Sequence, residues 1–215
     1  MTETPAPIRP AELAAYLAAR MCHDFISPAS AISSGLDLLD DPSAQDMREE
    51  AMGLIVTSAK KLTDLLSFCR VAFGASASAE TFDVRDLEKL ARGVFDHMRA
   101  ELEWTVDAPS LNKPAARTIL NLAQMAGAAL PTGGTAKVRA VQEAASVAIA
   151  IEAVGPRARL RAEVLAGLQG HPLGEGLHGH WAQAYYTQLF VADAGGRVFA
   201  DVQEERVVFA ATLPA

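Results

Sequence analysis

Cysteine is scarce in this chain. The two that occur, Cys22 and Cys69, make no disulfide framework, and neither stands in a Cys-x-x-Cys or Cys/His ligand pattern. Positive charge is also short: 19 Lys and Arg stand against 26 Asp and Glu, for a formal charge of −7. That balance excludes the basic footprint that nucleic acid demands. It equally excludes attraction to an anionic membrane surface. No uninterrupted apolar run is long enough to span a bilayer. The first ten residues, MTETPAPIRP, lack the basic and apolar regions of a signal peptide, and their three prolines predict a disordered tail over 1–10. The expected location is the cytoplasm.

Half of the 215 residues are hydrophobic, although aromatic residues make up only 6%. The length suits one large domain or two small ones with a buried core. Alanine is abundant, which favours helices. Apolar residues at Leu13, Leu17, Met21, Ile32, Leu36 and Leu39 predict a long helix over 11–40, stopped by Asp40-Asp41-Pro42. A second helix is expected over 43–73, with Ser43 as N-cap and a stripe through Met47, Ala51, Leu54, Leu62, Leu65 and Cys69. Gly74 ends it, and ASASA follows as a linker. Two such helices form an antiparallel hairpin over 11–75, which alone cannot bury two broad apolar faces. A homodimer that pairs two hairpins into a four-helix bundle is therefore expected.

From residue 81 to 215 the pattern is α+β. Helices are expected over 83–100, 113–130, 162–168 and 181–193. Strands are expected over 103–106, 137–141, 146–153, 197–202 and 206–213.

The chemistry concentrates in His23-Asp24-Phe25-Ile26-Ser27-Pro28, inside the first helix. A proline within a helix removes a hydrogen bond and bends the axis, so Pro28 marks an expected kink. A neutral imidazole is a good nucleophile near neutral pH, and its phosphoramidate is transferable. The carboxylate of Asp24 can orient the ring or take its proton.

This hexapeptide resembles the phosphoacceptor box of histidine kinases: His, acid, apolar, any, Thr/Asn/Ser, Pro. The longer stretch LAARMCHDFISPASAISSGLDLLDDPSAQDMREEAM, with VAFGASASAE and GPRARLR, resembles the ChpT-type histidine phosphotransferases of alphaproteobacterial cell-cycle phosphorelays. The resemblance covers nearly the whole chain. It implies that His23 is the phosphoacceptor and Asp24 the adjacent acid. It puts Ser27 where kinases carry a residue implicated in phosphatase activity, and Pro28 on the helix-bending proline. It also implies a C-terminal domain shaped like the Bergerat ATPase domain of histidine kinases, but degenerate.

In kinases the asparagine box ends on an Asn that holds Mg²⁺. Here Asn121-Leu-Ala-Gln-Met125-Ala126 keeps the first Asn and puts a thioether at the metal position, a poor ligand for a hard cation. The adenine-binding Asp of the next box is replaced by Ala153, within Ala153-Val-Gly155-Pro-Arg157, and Arg157 replaces a loop glycine. The last glycine-rich box survives loosely as Gly174-Glu-Gly176-Leu-His-Gly179. No ATP is expected to bind, and the Mg²⁺ of the reaction is expected on the partner.

The resemblance implies traffic from the receiver domain of a hybrid histidine kinase, through His23, to the receivers of response regulators. Arg157, Arg159 and Arg161 form the densest basic cluster. If they share one face of an extended segment, they can steer docking of an acidic receiver pocket. His97, His171, His178 and His180 lack carboxylates at ligand spacing, and Trp104 and Trp181 read as core anchors. Three rival readings stay open: an active kinase, a receiver phosphatase, and a dimeric interaction module without phosphorylation.

Overall fold

The first helix, α1 (Pro10–Asp40), opens on a proline whose preset φ and missing N–H suit a first turn. It runs through Pro28 without interruption. These features belong to a computed structural model, which describes residues 8–74, 79–173 and 178–215. Most of the expected N-terminal tail, most of the ASASA linker, and Gly174 and Gly176 lie outside the described residues.

The second helix begins later than its sequence suggests. Ser43 does not cap it: Asp41 caps a short 3₁₀ helix that comes first, and the second helix itself starts after Met47 without a side-chain cap. The Asp41 carboxylate accepts the Ser43 backbone N–H at 2.8 Å and the Ser43 hydroxyl at 2.7 Å. Those bonds hold the Asp41 carboxyl below its usual range. Because Pro42 takes the first-turn position, Ser43 falls inside a short 3₁₀ helix (Pro42–Met47), and α2 (Arg48–Ala72) follows.

The end of α1 lies against the start of α2. A methyl group on Gly35 would stand 2.6 Å from Ile55 and 3.1 Å from the Ala51 carbonyl, so glycine lets the two axes close. At the other end, Arg20 and Asp24 come near Cys69, whose thiol burial pushes up to about 12. Ala51, Leu65 and Phe68 are buried, while Leu36, Met47 and Leu54 are exposed.

The rest of the described chain is β1 (Thr81–Asp83), α3 (Val84–Phe95), β2 (Ala100–Asp107), β3 (Ser110–Asn112), α4 (Lys113–Ala128), β4 (Gly134–Gln142), β5 (Ser146–Val154), α5 (Ala162–Leu168), α6 (His178–Asp193), β6 (Arg197–Gln203) and β7 (Arg206–Pro214). Five strands form one sheet in the order β2-β4-β5-β7-β6. Only β2 and β4 are parallel within it. Alternation predicts its inner face: Val138, Ile149, Ile151, Val207 and Phe209 are all buried. The helix expected over 83–100 stops at Phe95 because Ala100 pairs with Gly134 and starts β2. The antiparallel β1–β3 pair went unpredicted, since three-residue strands carry no readable alternation.

The central helix α4 is buried from Ala115 to Gly127 except at Arg117, and carries Thr118, Asn121 and Gln124 into the interior with its apolar residues. It joins the sheet to the N-terminal helices. Asn112 opens it by accepting the Ala115 N–H at 3.0 Å. No helix among the described residues is long and apolar enough to cross a membrane.

Candidate functional site

His23 stands on the outside of α1 with its side chain 84% exposed. Its Nδ1 lies 3.3 Å from Oδ1 of Asp24. With the Nδ1 proton donated to that carboxylate, Nε2 is left with a free lone pair facing solvent. Asp24 is itself held. Its Oδ2 accepts from Nε of Arg20, one turn earlier, at 2.8 Å. The Arg20 side chain is only 16% exposed, so this pair is shielded better than a surface ion pair.

The other end of Arg20 crosses to the second half of the chain. Its Nη1 donates to Nδ1 of His180, in the first turn of α6, at 2.7 Å. Burial, reinforced by the cations Arg20 and Arg161, lowers His180 to about 4, so this imidazole is neutral near pH 7 and accepts through Nδ1. Beside it the His178 ring packs on Tyr16, with centroids 4.9 Å apart. A pocket of about 240 Å³ opens here, lined by Tyr16, Arg20, His23, Asp24, His178 and His180.

Ser27 is exposed one turn beyond His23, on the same helix. Pro28 is buried. Its ring nitrogen has no proton, so the Asp24 carbonyl loses its helical donor.

The residues in the kinase nucleotide positions have other employment. Asn121 is fully buried, and its amide donates to the carbonyls of Ala72 and Arg117, each at 2.9 Å. Its Oδ1 accepts from Gln183 at 3.2 Å. Gln183 also donates to Gln124 at 2.7 Å. Met125 and Ala153 are buried in the core. The crevice beside Met125 holds about 30 Å³, whereas small-molecule pockets run to about 300 Å³ or more.

The arginine cluster does not lie on one extended face. Residues 155–158 turn, with the Ala158 N–H on the Gly155 carbonyl at 3.0 Å, and Arg157 adopts a left-handed φ of 63°. Arg159 and Arg161 line the small crevice together with Arg20 and His180, and Arg157 is not among its lining residues. Arg161 also precedes α5 and lies 4.0 Å from Glu163.

Sequence reasoning missed Arg20 and His180. They stand 160 residues apart, and His180, weighed with the other histidines, has no local partner that marks its role. Arg20 carried one faint signal, the i, i+4 spacing to Asp24. His97 has a structural place: its Nε2 pairs with Asp64 at 3.0 Å, a carboxylate that Lys60 also binds at 2.8 Å. Trp181 is buried, as expected of an anchor, and stacks on Tyr185. Trp104 is only partly buried.

Comparison with known proteins bears on the family and the fold. The sequence model described as "Histidine phosphotransferase C-terminal domain" matches residues 84–206. The protein phosphotransferase ChpT of Brucella abortus (strain 2308) is 33% identical over 208 residues, covering 96% of this chain and 98% of that protein. A solved bacterial phosphotransferase structure superposes with a TM-score of 0.85 at 31% identity, over 97% of this chain and all of the other. The mycobacterial sensor histidine kinase MprB shares the fold of the C-terminal part, with a TM-score of 0.50 at 19% identity over 63% of this chain and 96% of that one. The five-stranded sheet with its helices is thus histidine-kinase ATPase-like, and the chain as a whole belongs to the histidine phosphotransferase family.

Proposed function

We propose that the chain carries its phosphoryl group on Nε2 of His23. The group comes from the aspartyl phosphate of a hybrid histidine kinase's receiver domain and passes to response-regulator receivers. The observation that carries this reading is the exposed imidazole of His23 with Nδ1 at the Asp24 carboxylate.

Phosphoryl transfer asks for alignment and charge stabilisation more than for covalent help. Nε2 forms the N–P bond as the acyl-phosphate O–P bond breaks, and the electron pair leaves on the receiver's carboxylate. The ring becomes cationic, and Asp24 balances or removes the Nδ1 proton. Donation runs through the same steps in reverse. Mg²⁺ is supplied by the receiver.

ATP has no part in this reading. The spent amide of Asn121, the buried Met125 and Ala153, and the narrow crevice support that. Arg159 and Arg161, which share a crevice with Arg20 and His180, are cations placed to meet an acidic receiver surface, and Arg157 adds a third charge two residues before Arg159. The antiparallel α1–α2 hairpin forms a four-helix bundle with that of a second copy, and the assembly works in the cytoplasm.

The test is phosphorylation of the purified protein by labelled ATP alone, and then by a pre-phosphorylated receiver. The expected result is no label from ATP and rapid, acid-labile label from the receiver that His23→Ala abolishes. Label from ATP alone would make the chain a kinase. Steady loss of receiver phosphate without a labelled His23 would make it a phosphatase, with Ser27 as the residue to examine. No label from a panel of receivers would leave the interaction module.

A further inference from the structure

Arg20 touches two residues that belong to different halves of the chain. Nε holds Asp24 on its own helix, and Nη1 holds His180 on α6. A guanidinium is planar, so fixing two of its nitrogens fixes the plane. Its position is defined sterically as well: a methyl group on Gly179 would stand 3.2 Å from both Cβ and Cδ of Arg20. With glycine at 179 the first turn of α6 packs directly on the Arg20 stem, where a methyl group would oblige that side chain to give by a few tenths of an ångström.

We infer that Arg20 and His180 are positioning residues for phosphoryl transfer: His180 fixes Arg20, Arg20 fixes Asp24, and Asp24 keeps the His23 proton on Nδ1 so that Nε2 meets the phosphorus. The inference rests on the reading of His23 as phosphoacceptor. It gives the ATPase-like domain a task inside the reaction, beyond presenting a docking surface.

The chemistry explains the choice of groups. The tautomer of a neutral imidazole is set by the hydrogen bond its other nitrogen makes. If Asp24 drifts, the proton can settle on Nε2, and the lone pair then lies on Nδ1, beside the helix, and not on Nε2 where the phosphorus would meet it. Asp24 alone on an exposed helix has several rotamers. A shielded partner on the preceding turn selects one of them. The partner of Arg20 must in turn be an acceptor without charge of its own. A carboxylate at residue 180 would compete with Asp24 for the guanidinium, whereas a neutral imidazole accepts one bond and leaves the ion pair intact. The charged groups facing His180 are Arg20 and Asp24 from α1 and Arg161 and Glu163 from the α5 side, so its neutrality is set by both halves of the chain.

The step remains balanced as written above. The pair contributes no atom to it and moves no proton, and its effect is on the fraction of His23 poised to react.

Three variants test this: His180→Leu, which cannot accept; His180→Asn, whose amide oxygen can replace Nδ1; and Arg20→Gln. Melting temperature shows whether each is folded. Transfer from a phosphorylated receiver is followed at saturating and sub-saturating receiver. ¹⁵N-histidine spectra, with His23 assigned through His23→Ala, report its tautomer without any donor. His180→Leu and Arg20→Gln should lower kcat about 10- to 100-fold, in the range for removing an orienting partner, with the receiver KM unchanged and the Nδ1–H form of His23 depleted. His180→Asn should restore most of both. Wild-type kcat and tautomer in His180→Leu would overturn the positioning role and leave phosphotransfer through His23 standing. So would a His180→Asn as impaired as His180→Leu. Absence of label on wild-type His23 would overturn the phosphotransfer reading, and the positioning role with it.

Discussion

At the scale of single residues, His180 makes stability depend on pH. In the folded protein its pKa is lowered from the ordinary 6.5 to about 4, with burial the largest cause and the cations Arg20 and Arg161 next. The unfolded chain therefore binds this proton more readily than the folded one. Above pH 6.5 the ring is neutral in both states and costs nothing. As pH falls from 6.5 toward 4, the unfolded state gains a proton that the folded state refuses, and stability falls. Discounted for a half-exposed ring, the loss is on the order of 1–2 kcal/mol. Urea unfolding at pH 7.5 and pH 4.5 should show this loss in the wild type and a smaller one in His180→Asn. The residue scale also shows what a sequence can reveal. His23, Asp24, Ser27 and Pro28 sit within six positions on one helix, so periodicity and chemistry expose them together. Arg20 and His180 meet only because α6 folds back onto α1, and no local pattern encodes that.

At the scale of elements, ends are harder to read than middles. The helices α1 and α2 were legible from the 3.6-residue apolar period, but the burial was not: Leu13, Ala51 and Leu65 on those stripes are buried, and Leu36, Met47 and Leu54 are exposed. The join was not: Asp41 and Ser43 are both good caps, and Pro42 between them decides for Asp41. Gly74 was legible as the stop of α2, but not the second reason for it. Its φ is 86°, and the Arg117 guanidinium packs directly over its Cα. That guanidinium lies 6.0 Å from the Tyr186 ring centroid and 5.6 Å from that of Phe190, which holds α4, α6 and the end of α2 together. Gly74→Ala therefore strains the backbone and displaces the cation at once. A loss of about 2–3 kcal/mol is expected, from a left-handed penalty of 1–2 kcal/mol plus the disturbed contact. Arg117→Met relieves the crowding without changing φ. In the double variant the cost of Gly74→Ala should shrink toward the backbone part, as a double-mutant cycle by chemical denaturation would measure.

At the scale of the whole molecule, the hairpin stripe is wider than one chain can cover. Ala51 and Leu65, on the stripe of α2, are buried within the chain, but Met47 and Leu54 on the same stripe are 44% and 40% exposed. On α1, Leu36 is 50% exposed, beside Gly35 where the helices touch. Leu36 and Leu54 are thus exposed leucines next to the Gly35 crossing, and a second hairpin packed over them would complete a four-helix bundle. Leu36→Glu with Leu54→Glu puts two carboxylates per chain into that seam, where like charges would face each other without partners. Light scattering should give the mass of two chains for the wild type and of one for the double variant. The C-terminal sheet packs around α4 and not around this seam, so its near-ultraviolet signal from Trp104 and Trp181 should persist in the monomer. A wild type that already scatters as one chain would mean that the exposed leucines serve some other contact, and the bundle would have to be abandoned. If the double variant becomes monomeric yet still takes label on His23 from a receiver, the reacting unit is a single chain. That outcome fits the geometry, because Arg20, Asp24 and His180 all come from the chain that carries His23.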